Sequence, residues 1–135
     1  FSGGVFAAAN TLAIFGWSDA AMTLPVGQGY FIKSAAPWTN TFVGEVVMNN
    51  TNSLITGFNM VGSAWPAQGD IDTDLQLVPV VGDVAYTFVN GGGYDAANTY
   101  AIFGWSGGSP NLSVAQGVMY KSVGPNNWVQ NFTIP

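Results

Sequence analysis

The stretch Val84-Ala85-Tyr86-Thr87-Phe88-Val89 alternates. Val84, Tyr86 and Phe88 point to one side of an extended chain, and Ala85, Thr87 and Val89 point to the other. Phe58, Met60 and Gly62 alternate with Asn59, Val61 and Ser63 in the same manner. Apolar residues recur at every second position rather than every third or fourth, so helix signals are poor throughout. Clusters of turn formers break the chain at Asn49-Asn50-Thr51-Asn52-Ser53, Gly91-Gly92-Gly93, Gly107-Gly108-Ser109-Pro110 and Gly124-Pro125-Asn126-Asn127. Strands are expected near 10–17, 24–34, 38–48, 56–64, 75–80, 84–90, 98–105, 112–122 and 127–134, with one short helical turn between Ala67 and Asp74. Short strands at this spacing predict an all-β fold, a β-sandwich of jelly-roll-like kind.

Working outward, the segment 1–37 returns as 89–125 without a gap. Asn10-Thr11-Leu12-Ala13-Ile14-Phe15-Gly16-Trp17-Ser18 matches Asn98-Thr99-Tyr100-Ala101-Ile102-Phe103-Gly104-Trp105-Ser106. Gln28-Gly29 and Lys33-Ser34 match Gln116-Gly117 and Lys121-Ser122, and after a two-residue insertion Trp38 and Phe42 match Trp128 and Phe132. The glycine of each Gln-Gly pair suits a bulge where a strand bends over a sheet edge. Gly44 to Phe88 have no counterpart before Phe1, so the chain reads as one sandwich domain over 1–135, built from a partial repeat (1–46) and a full repeat (47–135). Positions kept in both copies are expected to be core, which puts Phe15, Trp17, Phe103 and Trp105 inside, together with Phe42, Phe58, Phe88 and Phe132.

Composition narrows the function classes. Only 7% of residues are charged, against about 25% in an average domain, while 48% are hydrophobic. The net charge is −5 and Lys33 and Lys121 are the only basic residues, which excludes the basic footprint of nucleic-acid and anionic-lipid binding. No apolar run reaches the roughly 18 residues of a membrane helix, so no insertion is expected. The Asn/Thr-rich, lysine-poor composition points to secretion. Phe1 is neither an initiator Met nor the start of a signal peptide, as in a processed chain or a piece of a longer precursor.

Thr41-Phe42-Val43-Gly44-Glu45-Val46, Gly57-Phe58-Asn59-Met60-Val61-Gly62-Ser63, Gly82-Asp83-Val84-Ala85-Tyr86-Thr87-Phe88, Gly104-Trp105-Ser106, Val114-Ala115-Gln116-Gly117 and Asn127-Trp128-Val129-Gln130-Asn131-Phe132 follow one another in an order that spans almost the whole chain. Together they resemble the repeats of uncharacterised secreted β-repeat proteins from environmental bacteria of the planctomycete and verrucomicrobial groups. The resemblance implies a secreted β-repeat protein and no activity.

Catalytic chemistry finds little to work with. His and Cys are absent, which removes the usual general base, the thiol nucleophile and most transition-metal ligands. Lys33-Ser34 and Lys121-Ser122 are adjacent in strands, so each pair points to opposite faces. The seven acids, Asp19, Glu45, Asp70, Asp72, Asp74, Asp83 and Asp95, include no pair at matched positions in the two copies. The chain is therefore not expected to be an enzyme, and no cofactor is expected unless Asp70, Asp72 and Asp74 gather around calcium. Leu75 and Val81 stand where an EF-hand needs glycine and glutamate, and a helix N-cap or a solvated turn explains the same acids.

Trp65, unmatched and beside Pro66, is the candidate sugar platform of a secreted carbohydrate-binding module. Lys33 and Lys121 suit either an isopeptide crosslink assisted by Glu45 or, more simply, edge charges that discourage faulty pairing. Asn49, Asn111 and Asn131 head N-glycosylation patterns. The leading expectation is a structural subunit of an extracellular filament or surface layer, with copies of itself as partners and glycans as an alternative. A half-module leaves a sheet unpaired, and a terminal strand from a neighbour fills it head to tail. The assembly strands expected are those bearing Phe1, Val5 and Phe6 at one end and Trp128, Phe132 and Ile134 at the other.

Overall fold

A computed structural model describes residues 5–37, 39, 41, 43 and 45–133. The expectations placed on Phe1, Trp38, Phe42 and Ile134 lie outside these residues. The chain is all-β, with no helix among the described residues. Among the described residues twelve strands follow in order: β1 (Leu12–Ala13), β2 (Gly16–Trp17), β3 (Asn49–Leu54), β4 (Gly57–Gly62), β5 (Gly69–Asp70), β6 (Val84–Val89), β7 (Gly93–Tyr94), β8 (Asn98–Ala101), β9 (Gly104–Trp105), β10 (Asn111–Leu112), β11 (Gly117–Ser122) and β12 (Asn126–Asn131).

The main sheet has the antiparallel order β4-β11-β6-β8-β9, with β7 folded back on β6. β3 and β12 form a separate ribbon in which Asn50 faces Gln130 and Asn52 faces Trp128. The core draws Val61, Ala85, Val118 and Tyr120 from the main sheet and Leu54 and Trp128 from the ribbon. Ile71, Leu75 and Leu77 fill the same cluster from a loop. Val118, Tyr120 and Ser122 of β11 share the buried face, while on the opposite face Lys121 is exposed and Met119 is covered.

Three expected elements take another form. The Asn49–Ser53 cluster, expected as a turn, is strand β3. Its period of two puts Asn50, Asn52 and Leu54 on the covered face, and Asn50 Nδ2 donates to Asn52 Oδ1 at 3.0 Å. Pairing with β12 outweighs the turn preference of asparagine. The expected strand at 75–80 is absent, because Gln76 takes φ 66° and breaks the extension. The main chain arches there instead, and Leu75 O accepts bonds from Trp128 Nε1 (2.6 Å) and Gln130 Nε2 (3.2 Å). The helical turn expected up to Asp74 is one wound turn, in which the N–H groups of Asp74 and Leu75 both donate to Asp70 O.

The expected strand at 24–34 shrinks to one bridge, Gln28 to Val61 on the outer edge of β4. Gly29 N–H donates to Met60 O and Gly62 N–H to Gly27 O, both at 2.9 Å. The segment then leaves the edge. Phe31 stacks on Phe88 (4.9 Å between centroids) and Tyr94 (6.1 Å), and Phe6 on Phe31 (5.5 Å). Residues 29–34 thus form no strand, whereas their counterparts in β11 pair with β4 on one side and β6 on the other.

Candidate functional site

The matched nonapeptides fold into matched hairpins. In each, a two-residue corner (Ile14-Phe15, Ile102-Phe103) joins two short strands, with Leu12 opposite Trp17 and Tyr100 opposite Trp105. No corner residue has positive φ; the following glycine carries it, with φ 110° at Gly16 and 107° at Gly104. A side chain at that position would be strained, so the glycine is what allows a Phe to sit at the corner. The hydrogen bonds repeat as well. Ser18 N–H donates to Thr11 O and Ser106 N–H to Thr99 O, each at 2.9 Å. Thr11 N–H reaches Ser18 Oγ (3.0 Å), as Thr99 N–H reaches Ser106 Oγ (3.1 Å). Asn10 Oδ1 accepts from Ser18 Oγ and Asp19 N–H, and Asn98 Oδ1 from Ser106 Oγ and Gly107 N–H.

These hairpins overturn the expected burial of Phe15 and Phe103. Both are 102% exposed, because each is the apex of a turn and not part of a strand. Phe58 and Phe88 are exposed on the outer face of the main sheet, and Phe132 is half-buried. Of the matched tryptophans that the structure describes, only Trp128 is fully buried.

The surroundings of the two hairpins differ. In the second, Tyr100 N–H donates to Asp83 O and Gly82 N–H to Tyr100 O, both at 2.8 Å, which zips β8 to the start of β6. Trp105 is half-buried against the core, stacks on Tyr100 (5.2 Å), and donates its indole N–H to Asp72 Oδ2 at 3.0 Å. Ser109 Oγ donates to Asp72 Oδ1 at 2.5 Å. In the first hairpin no partner plays these parts among the described residues. Leu12, the counterpart of Tyr100, belongs to a pair whose N–H and C=O point outward from the hairpin. Leu12 is 61% exposed and Trp17 55% exposed. The hairpin thus offers an unpaired backbone edge flanked by a leucine and an indole.

The acid loop is a structural clasp and not a cation site. Asp70 Oδ1 accepts from Asn111 Nδ2 (2.9 Å), Asp74 Oδ2 from Asp70 N–H (2.9 Å), and Asp72 from Trp105, Ser109 and Thr73 N–H. No group of three acidic side chains is placed to hold a metal ion among the described residues, so the expected calcium site at Asp70, Asp72 and Asp74 does not form. Burial disfavours the charged form of Asp72, but the Ser109, Trp105 and Thr73 donors outweigh it and hold the carboxyl below the usual range.

Trp65 is no open platform: it is half-buried and stacks on Phe132 at 5.2 Å. Lys121 lies 5.6 Å above the Phe58 ring, a cation–π contact on the outer face. Lys33 is exposed, as are Asn49, Asn111 and Asn131, the last three in strands. Of the expected assembly residues, Trp128 is 0% exposed in the chain's own core, and Val5 and Phe6 are exposed. Strand β12 is therefore committed to its own fold: donating it would empty the core. A hollow of about 170 Å³ beside Thr87, Asn98 and Ser109 is smaller than ordinary ligand pockets. A second, of about 380 Å³, lies between the turns at Ser53–Thr56 and Pro125–Asn127 and is lined by no ionisable side chain.

One site escaped the sequence reading. Asp83 is fully buried and accepts from Tyr120 OH (2.5 Å), Val80 N–H (2.8 Å) and Val123 N–H (2.8 Å). Burial, reinforced by the hydrogen bond to Asp83, pushes the Tyr120 phenol well above its ordinary range. An acid inside an alternating strand, just after a turn glycine, was the available signal. No known protein family, no curated protein and no solved structure matches the chain.

Proposed function

We propose that the chain is a structural subunit of an extracellular filament or surface layer, its copies joined head to tail by β-strand exchange. The observation that carries this reading is the unequal fate of two equivalent hairpins. One is zipped to a strand and clasped by an acid; the other presents the same edge unpaired. Exposed strand edges invite pairing with another chain, and a surface with 7% charged residues does little to oppose it.

The donor follows from counting. Among the described residues, each chain has two matched hairpins and one strand-and-loop unit of the kind that covers them (69–85). Passing that unit between copies frees one hairpin for every one it covers. Strand β12 is held by Trp128. The donor assigned is the uncharged stretch Val5-Phe6-Ala7-Ala8-Ala9. Its Phe6 ring rests on Phe31 in the single chain and would exchange that partner for a neighbour's β1, a contact that joins two different patches. Such a heterologous contact propagates into a filament unless its rotation closes a ring.

The test is Leu12→Pro, which removes the outward N–H of β1 while leaving the hairpin's own ladder intact. Sedimentation of concentrated protein should show polymers that this variant and a deletion of residues 1–9 both abolish. Polymers that survive both changes overturn the reading. The exposed indole of Trp17, flanked by Ser18 and Asp19, favours a second reading as a carbohydrate-binding module; glycan binding lost on Trp17→Ala would support it.

A further inference from the structure

The tip of the β6–β7 turn carries chemistry that nothing above uses. Asn90 is the only asparagine in the chain followed by glycine, within Val89-Asn90-Gly91-Gly92-Gly93. Gly92 N–H donates to Val89 O at 3.0 Å, which leaves Asn90 and Gly91 as the two corners of the turn, both exposed. Neither the Asn90 amide nor the Gly91 N–H is engaged in a hydrogen bond, and Gly91, at φ 80°, has open space where a Cβ would stand. The other asparagines near turns differ: Asn10, Asn98 and Asn126 all spend their side chains on main-chain partners.

We infer that Asn90-Gly91 is a self-modification site, a deamidating turn whose only co-reactant is water. The Gly91 main-chain nitrogen, on losing its proton, attacks Asn90 Cγ. A C–N bond forms, the bond from Cγ to the side-chain nitrogen breaks, and ammonia leaves with the proton, giving a five-membered succinimide. Water then adds at either ring carbonyl. Opening at one restores a normal backbone with aspartate at position 90; opening at the other gives isoaspartate, with an extra methylene in the main chain. No electron is gained or lost. The three glycines supply the freedom the peptide plane needs to turn toward Cγ, and glycine puts no side chain in the way.

The site matters because of what the turn holds. Its closing pairs are Val89 with Gly93 and Phe88 with Tyr94. Phe88 and Tyr94 stack at 5.5 Å and receive Phe31, which in turn receives Phe6. An extra methylene at position 90 disturbs that register, and with it the aromatic clasp of the N-terminal segment. Each event also adds a negative charge.

The experiment ages the intact protein in warm, mildly alkaline buffer, against a cold, mildly acid control. Ammonia release, a one-charge acidic shift in isoelectric focusing and isoaspartate mapping are the readouts. Hydroxylamine traps the succinimide by cutting the chain between Asn90 and Gly91. The wild type should show all four. Asn90→Gln, whose longer side chain closes a six-membered ring far more slowly, should lose the cut and the isoaspartate signal. An acidic shift of equal rate in Asn90→Gln overturns the inference, as does isoaspartate accumulating at other asparagines while Asn90 keeps its amide.

Discussion

Asp83 and Tyr120 set the chain's dependence on single side chains. The Asp83 carboxylate is buried with three donors and no cation among its hydrogen-bond partners. Replacing it with alanine leaves the Tyr120 hydroxyl and the Val80 and Val123 N–H groups unsatisfied inside the fold. At 1–3 kcal/mol for each such group, Asp83→Ala should cost at least about 3 kcal/mol, read as a lower urea midpoint. Tyr120 predicts the alkaline limb. Its phenol is raised in the folded state above the ordinary value of 10.0, so its contribution is complete below that pH. Above it the unfolded chain ionises first, and stability falls by about 1.4 kcal/mol per pH unit. Tyr120→Phe should flatten that limb. Asp72 works in the opposite sense: its carboxyl is lowered on folding, so its contribution is present above the unfolded value of about 3.9 and is lost as pH falls through the folded one.

At the scale of elements, two hairpins of nearly one sequence differ in what they touch. Trp105→Ala removes a half-buried indole, its stack on Tyr100 and its bond to Asp72, and should cost about 2–3 kcal/mol. Trp17→Ala removes an indole that is mostly in water, and should stay within about 0.5 kcal/mol in the monomer. Chemical denaturation of the two variants side by side checks both; equal losses would mean that the first hairpin is covered after all. Alternation made the long strands β4, β6, β11 and β12 legible in the sequence, because each turns every second side chain toward the core. The hairpins were legible as a repeat but not as turns, since their one conformational marker, the glycine after Phe, lies inside an apolar run. Strand β3 was hidden because asparagine favours turns until a partner strand fixes it. The site was half legible: the nonapeptide pair stood out, but only the fold shows that Asp72 clasps one copy and that no described residue clasps the other in the same way. The acids expected as calcium ligands were misread for a related reason, since Asp72 accepts from Trp105 and Ser109, Asp70 from Asn111 and Asp74 from the Asp70 N–H, partners that spacing alone cannot show.

For the whole molecule, the strength of one strand-exchange contact decides how assembly must behave. Two main-chain hydrogen bonds at Leu12 are worth about 1 kcal/mol each, and covering Leu12 and Trp17 adds about 2 kcal/mol apiece. Immobilising a partner removes at least about 4 kcal/mol of that. What remains, about 2 kcal/mol, corresponds to a dissociation constant weaker than millimolar. A dilute solution should therefore be monomeric, and association should begin only when copies are crowded or when their mutual repulsion is removed. Repulsion here is the net charge of −5, carried by few groups, with an isoelectric point near 4.1. Added salt screens the same repulsion without removing it. Light scattering at fixed protein concentration should rise steeply as pH falls toward 4 and rise more gently with salt at neutral pH. Because the acid limb of Asp72 begins just below that range, Leu12→Pro separates the two causes. Scattering that vanishes in this variant while the Trp105 fluorescence of the fold is kept belongs to strand pairing. Scattering that persists belongs to partial unfolding, and would show that the open edge of β1 does not join the copies.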